Sequence, residues 1–301
     1  MRSVAAAILI AFAMVALLAE FLASDRPIAL HQGGDTSWFL NLRDGEPRGD
    51  RLRAQLGADD WALWPPLAHD PVEVRTEGVL APLEPPGARH ALGTDDRGRD
   101  VAARLVHGTR TTALVAGGVA LLALLLGVGL ALAATAWRAA GRAILVACDA
   151  VAATPPVLTV IAAAGLVGAR GLLPVIVLIA IPRAADTARL AAAALHAALA
   201  EPFVDAARAA GASPARVLVR HALPQTRTLL ASATALTAAT AVLSEVGLSY
   251  LGAGAPPPTP SWGELLAQAT ANDLRWWLAA PAGVAITLAT WALLTFSRPR
   301  A

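Results

Sequence analysis

The sequence predicts an all-α integral membrane protein with six transmembrane helices and a polar segment on the outer side between the first two. Three observations carry this. The 301 residues are 56% hydrophobic, and the mean hydropathy is +0.56. A soluble domain must cover itself with polar groups and does not stay this apolar. Apolar runs near the about 20 residues that a helix needs to cross a bilayer recur along the chain. Arginines gather at alternate ends of those runs, as the positive-inside rule requires.

The first run extends from Val4 to Ala23 and is interrupted by Glu20. A secretory signal has a shorter apolar core and small residues before its cut. Phe21-Leu22-Ala23-Ser24 fits such a site poorly, so residues 1–23 are expected to remain as an anchor. Residues 24–110 carry charges of both signs, several prolines and Trp38, Trp61 and Trp64. They read as a water-facing segment too long for a turn. The remaining residues, 111–301, hold five further spans. The second span, Thr111 to Trp137, carries no charge and is bracketed by Arg110 and Arg138. The third runs from about 143 to 166 with Asp149 and Pro155-Pro156 inside, and Gly168-Ala169-Arg170-Gly171 then makes a tight connection. The fourth runs from about 172 to 190. Its apolar half ends at Pro182, and Arg183, Asp186 and Arg189 follow at helical spacing. The fifth runs from about 229 to 251 with Glu245 inside, and the sixth from about 277 to 296.

Arg2, Arg138, Arg142, Arg183 to Arg227, Arg298 and Arg300 fall on one side of such a bundle. That side is expected to be cytoplasmic, with both termini there, in an inner (plasma) membrane. Tyr250, Trp276 and Trp277 then sit at outer ends and Trp137 at an inner end, like an aromatic belt.

Several chemistries are excluded or disfavoured. All 24 basic residues are arginines. A phosphate-binding P-loop needs a lysine, so ATP hydrolysis by this chain is not expected. The single cysteine, Cys148, makes no intramolecular disulfide. The six histidines lack metal-ligand spacing along the chain, so no metal, cofactor or catalytic residue is expected. No arginine stretch with interleaved aromatics suggests nucleic acid. Asp149 and Glu245 leave an ion-coupled secondary transporter as the reading from another class, since intramembrane charges often mark ion paths. The chain shows no evident internal repeat of the kind self-contained carriers use.

Residues 199–224 are too polar to span and too patterned for a plain loop. Phe203, Val204, Ala207 and Ala210 repeat at helical spacing. Gly211 fits the left-handed position that closes a helix. Ser213-Pro214 reads as an N-cap followed by proline in the first turn. Val217, Leu218 and Leu223 continue a second short helix that Pro224 limits. From the pattern alone, such a pair could also lie on the membrane face as a lipid anchor.

Asp205-Ala206-Ala207, Gly211 and His221-Ala222-Leu223-Pro224 resemble the "EAA" loop of ABC-importer permease subunits, with Asp205 where that loop usually has Glu. His90-Ala91-Leu92-Gly93-Thr94-Asp95-Asp96-Arg97-Gly98-Arg99-Asp100 is similar to the HPLGTDxxGRD segment of peptide and nickel importers. Leu248-Ser249-Tyr250-Leu251-Gly252 and Pro257 to Gly263 are similar to the LSFLGLG-PPxPSWG segment of the same family. Ser261 and Glu264 also make a capping-box pattern, so a short outer helix is expected there. The chain thus resembles the C-type permease subunit of a dipeptide/oligopeptide ABC importer. Asp25-Arg26-Pro27 and Trp61 to Pro66 are similar to the branch that imports oligopeptides and peptide-nucleotide antibiotics.

The resemblance implies the type I importer permease fold, and peptide cargo, with nickel or another cargo of that family as the alternative. It implies a sister permease, two ATP-binding subunits and an external substrate-binding protein as partners, besides membrane lipid. It also implies that Glu201, Asp205, Ala206, Ala207, Gly211, His221, Leu223 and Pro224 contact the ATPase.

Overall fold

The computed structural model describes residues 1–43, 49–57, 59–72, 82–153 and 171–298. In chain order the described elements begin with α1 (Arg2–Leu17) and α2 (Ala19–Leu22), then β1 (Ala29–Gln32) and β2 (Asp35–Trp38). A 3-10 turn (Leu40–Leu42), α3 (Gly49–Gln55) and β3 (Trp61–Leu63) follow, and then the long α4 (Val101–Ala136), α5 (Arg138–Ala152) and α6 (Leu172–Leu199). The short helices α7 (Pro202–Ala209) and α8 (Pro214–Arg216), a π-helical turn (Val217–Ala222) and α9 (Leu223–Gln225) precede α10 (Arg227–Tyr250). The last helices are α11 (Trp262–Ala271) and α12 (Trp276–Ser297).

Helices α4, α10 and α12 are each long and apolar enough to cross a membrane. The first expected span is shorter as a helix. α1 has 16 residues, and the chain leaves it at Leu18 before the single turn of α2. The second begins earlier than expected, at Val101, because Asp100 acts as its N-cap: the Ala103 N–H donates to Asp100 Oδ1 at 2.7 Å. Residues 101–110, expected in the water-facing segment, are therefore helical. Of the third expected span the described part is α5; residues 154–170, with the Pro155-Pro156 step and Gly168 to Arg170, lie outside the described residues. The fourth does not end near Leu190. α6 continues through Pro182 and the charged turn to Leu199, and Ala184, Ala185, Ala188, Ala191, Ala192, Leu195 and Ala198 keep one face buried.

The chain divides into two compact units. One comprises Met1–Ala7, Leu114–Leu248 and the residues from Ala289. Its core is built on small side chains. Ala131 of α4, Ala191, Ala192, Leu195 and Ala198 of α6, and Leu218 and Ala222 of the π turn form one buried cluster. At Gly127 of α4 a side chain has no room: a Cβ there would lie 2.6 Å from Thr187 Cβ and 2.8 Å from the Ala184 carbonyl. Small residues let helix backbones approach where lipid offers no hydrophobic drive.

The other unit comprises Ile8–Ala113 and Ser249–Leu288. It holds a three-stranded antiparallel sheet in the order β2-β1-β3, so the expected all-α class is corrected to a mostly helical one with a small sheet. Ala29 pairs with Trp38 on one side and Leu63 on the other, and His31 with Thr36 and Trp61. β2 is exposed along its whole length. Asp60 fastens the hairpin of β1 and β2 by accepting from the Gly57 and Gly33 N–H groups at 2.8 and 3.1 Å. Those two donors, Gly57 first, hold its carboxyl below the usual carboxylate range.

Candidate functional sites

The segment 201–225 takes the form its residues dictate. Glu201, in extended conformation, starts α7 with Pro202 in the first turn. The helix ends in a Schellman motif. Ala212 N–H donates to the Ala207 carbonyl at 3.0 Å, Gly211 N–H donates to the Arg208 carbonyl at 2.9 Å, and Gly211 has φ +83°. Ser213 then caps the next helix, its Oγ accepting from the Arg216 N–H at 3.4 Å. Gly211 and Ser213 thus occupy the conformations expected of them.

The second short helix differs from expectation. Pro224 does not limit it; the helical path runs from Pro214 through Gln225, with a π-helical turn at Val217–Ala222. The Leu223 N–H donates to the Leu218 carbonyl, five residues back. Proline lacks an N–H, and its ring clashes with the carbonyl four residues earlier; a wider turn ahead of Pro224 relieves both.

Burial sorts the named residues into two sets. Val204, Val217, Leu218 and Ala222 are buried, and Ala207, His221 and Leu223 are half-buried. Glu201, Asp205, Ala206, Gly211 and Pro224 are exposed. Ala210, expected on the apolar face, is exposed too, because the Schellman turn carries the chain away from that face. Asp205 and Arg208 form an exposed pair at 3.5 Å. The segment therefore presents Glu201, Asp205, Arg208, Arg216, Arg220, Val219 and small side chains outward, on a backbone anchored by Val204, Leu218 and Ala222.

A second constellation lies in the other unit, where the segments 90–100 and 261–264 meet. Asp95 is fully buried and accepts from the Arg97 and Arg99 N–H groups, both at 2.9 Å, and from Arg99 Nε at 2.7 Å. Glu264 accepts from Arg99 Nη2 at 3.1 Å and from Arg104, which is itself fully buried. Two carboxylates and two guanidiniums thus close on one another, the arrangement that makes buried charge tolerable. Beside them, burial and then the Asp95 charge raise the carboxyl of Asp96. The expected short helix is α11, and Ser261 Oγ accepts from the Gly263 N–H at 3.1 Å. Glu264, however, turns to the arginines. The Trp262 indole N–H donates to the Leu105 carbonyl at 3.2 Å, and that of Trp277 to the Thr94 carbonyl at 3.2 Å.

The fold also gathers His69, His90 and Asp100, with potential ligand atoms all within 4.8 Å of one another. Spacing along the chain could not show this. His90 Nδ1 lies 2.8 Å from Asp100 Oδ2, Asp100 Oδ1 caps α4, and His69 Nε2 lies 3.0 Å from the Arg89 carbonyl. Both Asp100 oxygens are thus spent on holding the segment to the helix.

Of the two acids expected within spans, Asp149 pairs with Arg189 at 2.7 Å, joining α5 to α6. Glu245 is fully buried and has a partner within the chain.

A family model for the binding-protein-dependent transport system inner membrane component matches residues 112–298. The chain is 35% identical over 214 residues to a protein of Brucella suis described as a peptide transport system permease protein, which covers 70% of this chain and 71% of that one. It is 34% identical over 230 residues to the di/tripeptide transport system permease protein DppC of Pseudomonas aeruginosa, covering 75% and 76%. A chain of the inward-facing MetNI methionine ABC transporter superposes with a TM-score of 0.56 at 18% identity, over 64% of this chain and 93% of that chain. This likeness shows the type I ABC importer permease fold.

Proposed function

The chain belongs to the family of binding-protein-dependent transport system inner membrane components, and on that footing we propose that it is the permease subunit of an ATP-driven importer of di- or oligopeptides. It forms half of a translocation pathway with a sister permease and receives cargo from an external binding protein. Two ATP-binding subunits drive it through residues 201–224. The observation that carries this reading is the form of that segment. Two short helices are hinged at a left-handed Gly211, pinned from beneath by Leu218 and Ala222, and offer Glu201, Asp205 and Ala206 outward. A lipid anchor would present an apolar face instead. The names of the relatives favour peptide cargo.

In this reading the chain crosses the inner membrane six times with both termini in the cytoplasm. Residues 1–23 are the first anchor, 24–110 the external segment and 111–301 the five-helix core. Arg2 Nη2 donates to the Arg298 carbonyl, which supports placing both ends on one side. Closure of the ATPase dimer moves the docked helices and opens the permease pair outward; hydrolysis resets it. The external sheet supports a receiving role for residues 24–89, since Trp38, Phe39, Trp61 and Leu63 are all about half exposed on or beside it.

The test is ATP hydrolysis by the purified chain, alone and with its partners. Activity is expected only with the ATP-binding subunits and should rise with loaded binding protein. Steady hydrolysis by the pure single chain would sink the reading.

A further inference from the structure

Three arginines from distant parts of the sequence meet around one cavity. Arg2 at the start of α1, Arg227 at the start of α10 and Arg298 just past α12 line a cleft of about 720 Å³. Thr228 and Ser232 add hydroxyls, and Phe296 adds an apolar wall. Among the described residues, no acidic side chain lines it. Arg2 Nη2 also donates to the Arg298 carbonyl.

Three arginines on one cleft, with no acidic side chain among its described lining, favour an anion there. The position of the cleft says which anion. Arg227 opens one helix long and apolar enough to cross the membrane, and Arg298 follows another. The cleft therefore lies at a membrane boundary, where its occupant must be anionic at one end and apolar at the other. The geometry points to a headgroup site for an anionic phospholipid. Its phosphodiester oxygens meet the planar donor forks of the arginines, which suit phosphate. The glycerol and first acyl carbons lie along Phe296. Basic pockets between membrane helices hold headgroups by this chemistry. The assignment rests on the membrane reading alone and is independent of cargo and of the 201–224 segment.

Native mass spectrometry of the full-length chain, stripped of lipid in a neutral detergent and titrated with phosphatidylglycerol, phosphatidylethanolamine or inorganic phosphate, tests it. The wild type is expected to retain phosphatidylglycerol in preference to phosphatidylethanolamine. Each arginine near a membrane surface contributes about fivefold to anionic-lipid binding. Arg227→Gln should thus weaken phosphatidylglycerol binding about fivefold, and the triple change of Arg2, Arg227 and Arg298 to Gln about 100-fold. The triple change to Lys, which keeps the charge, should retain most of it. If the triple Gln variant fails to insert, Arg227→Gln and the Lys variant carry the test. Equal retention of the two lipids, or Gln variants that bind like wild type, would overturn the site. Displacement of phosphatidylglycerol by equimolar inorganic phosphate would overturn the lipid in favour of a free anion.

Discussion

Arg189 Nε lies 2.7 Å from Asp149 Oδ1, so the acid that an ion-coupled carrier would have to load and unload is already paired across two helices. Both side chains are about half exposed in the single chain. Asp149→Asn should leave ATP-driven uptake within a few-fold of wild type and insensitive to a proton ionophore. Exchanging the two residues should recover what either single reversal loses. Loss of uptake in Asp149→Asn that tracks a collapsed proton gradient would favour ion coupling instead.

Glu264 is the carboxylate that lets Arg104 sit fully buried. Removing one partner of a buried pair costs about 3–5 kcal/mol. Glu264 is one-fifth exposed and Arg104 keeps Asp95 at 3.3 Å, so Glu264→Gln should cost less, about 2–3 kcal/mol. Thermal unfolding in detergent reads this. The double variant Glu264→Leu with Arg104→Met should be more stable than Glu264→Gln alone. If the single change is silent, the clasp does not hold α11.

Trp61 stacks on His31 at 5.8 Å and 10° and is 48% exposed, whereas Trp64 lies beneath Arg53 at 4.5 Å. The two tryptophans should therefore behave differently. Trp61→Ala should leave insertion intact and weaken docking of the binding protein by roughly 2 kcal/mol, about 30-fold, if it is an anchor. Trp64→Ala should act mainly on the folding of the outer segment. Surface-plasmon binding of loaded binding protein to the reconstituted permease separates them; unchanged affinity in Trp61→Ala would make the sheet a self-packed cap.

What the sequence disclosed was local. Gly211 and Ser213 could be placed because a left-handed C′ residue and an N-cap are decided by a few neighbouring backbone groups. The apolar helices α4, α10 and α12 could be located because lipid demands long apolar runs. The reach of α4 back to Val101 was hidden, since Asp100 reads as one more charge in a charged stretch. The π turn was hidden because Pro224 reads as a stop signal, while the helix accommodates it by widening. The partners of Glu264 lie 160 and 165 residues away, and no periodicity reports such a contact. For the same reason His69, His90 and Asp100 had no visible relation. The sheet of residues 29–63 was missed because its strands are three or four residues long and two of them face water on most positions.

The measurement that bears most directly on the account is co-purification of the ATP-binding subunits with Gly211→Val, alongside peptide uptake. A Cβ at Gly211 meets nothing within 4 Å, so crowding is not the issue; the φ of +83° is. An L side chain there costs about 1–2 kcal/mol, and a β-branched one more than alanine. That is small against the stability of the bundle, so the variant should be full-length and inserted. The strain falls on the angle between α7 and α8, and so on the surface formed by Glu201, Asp205 and Ala206. Ala207→Asp, with its half-buried position, should act in the same direction. The expected result is an inserted permease that loses its ATP-binding subunits or hydrolyses ATP without uptake. An inserted Gly211→Val variant with normal subunit binding and normal uptake would contradict it.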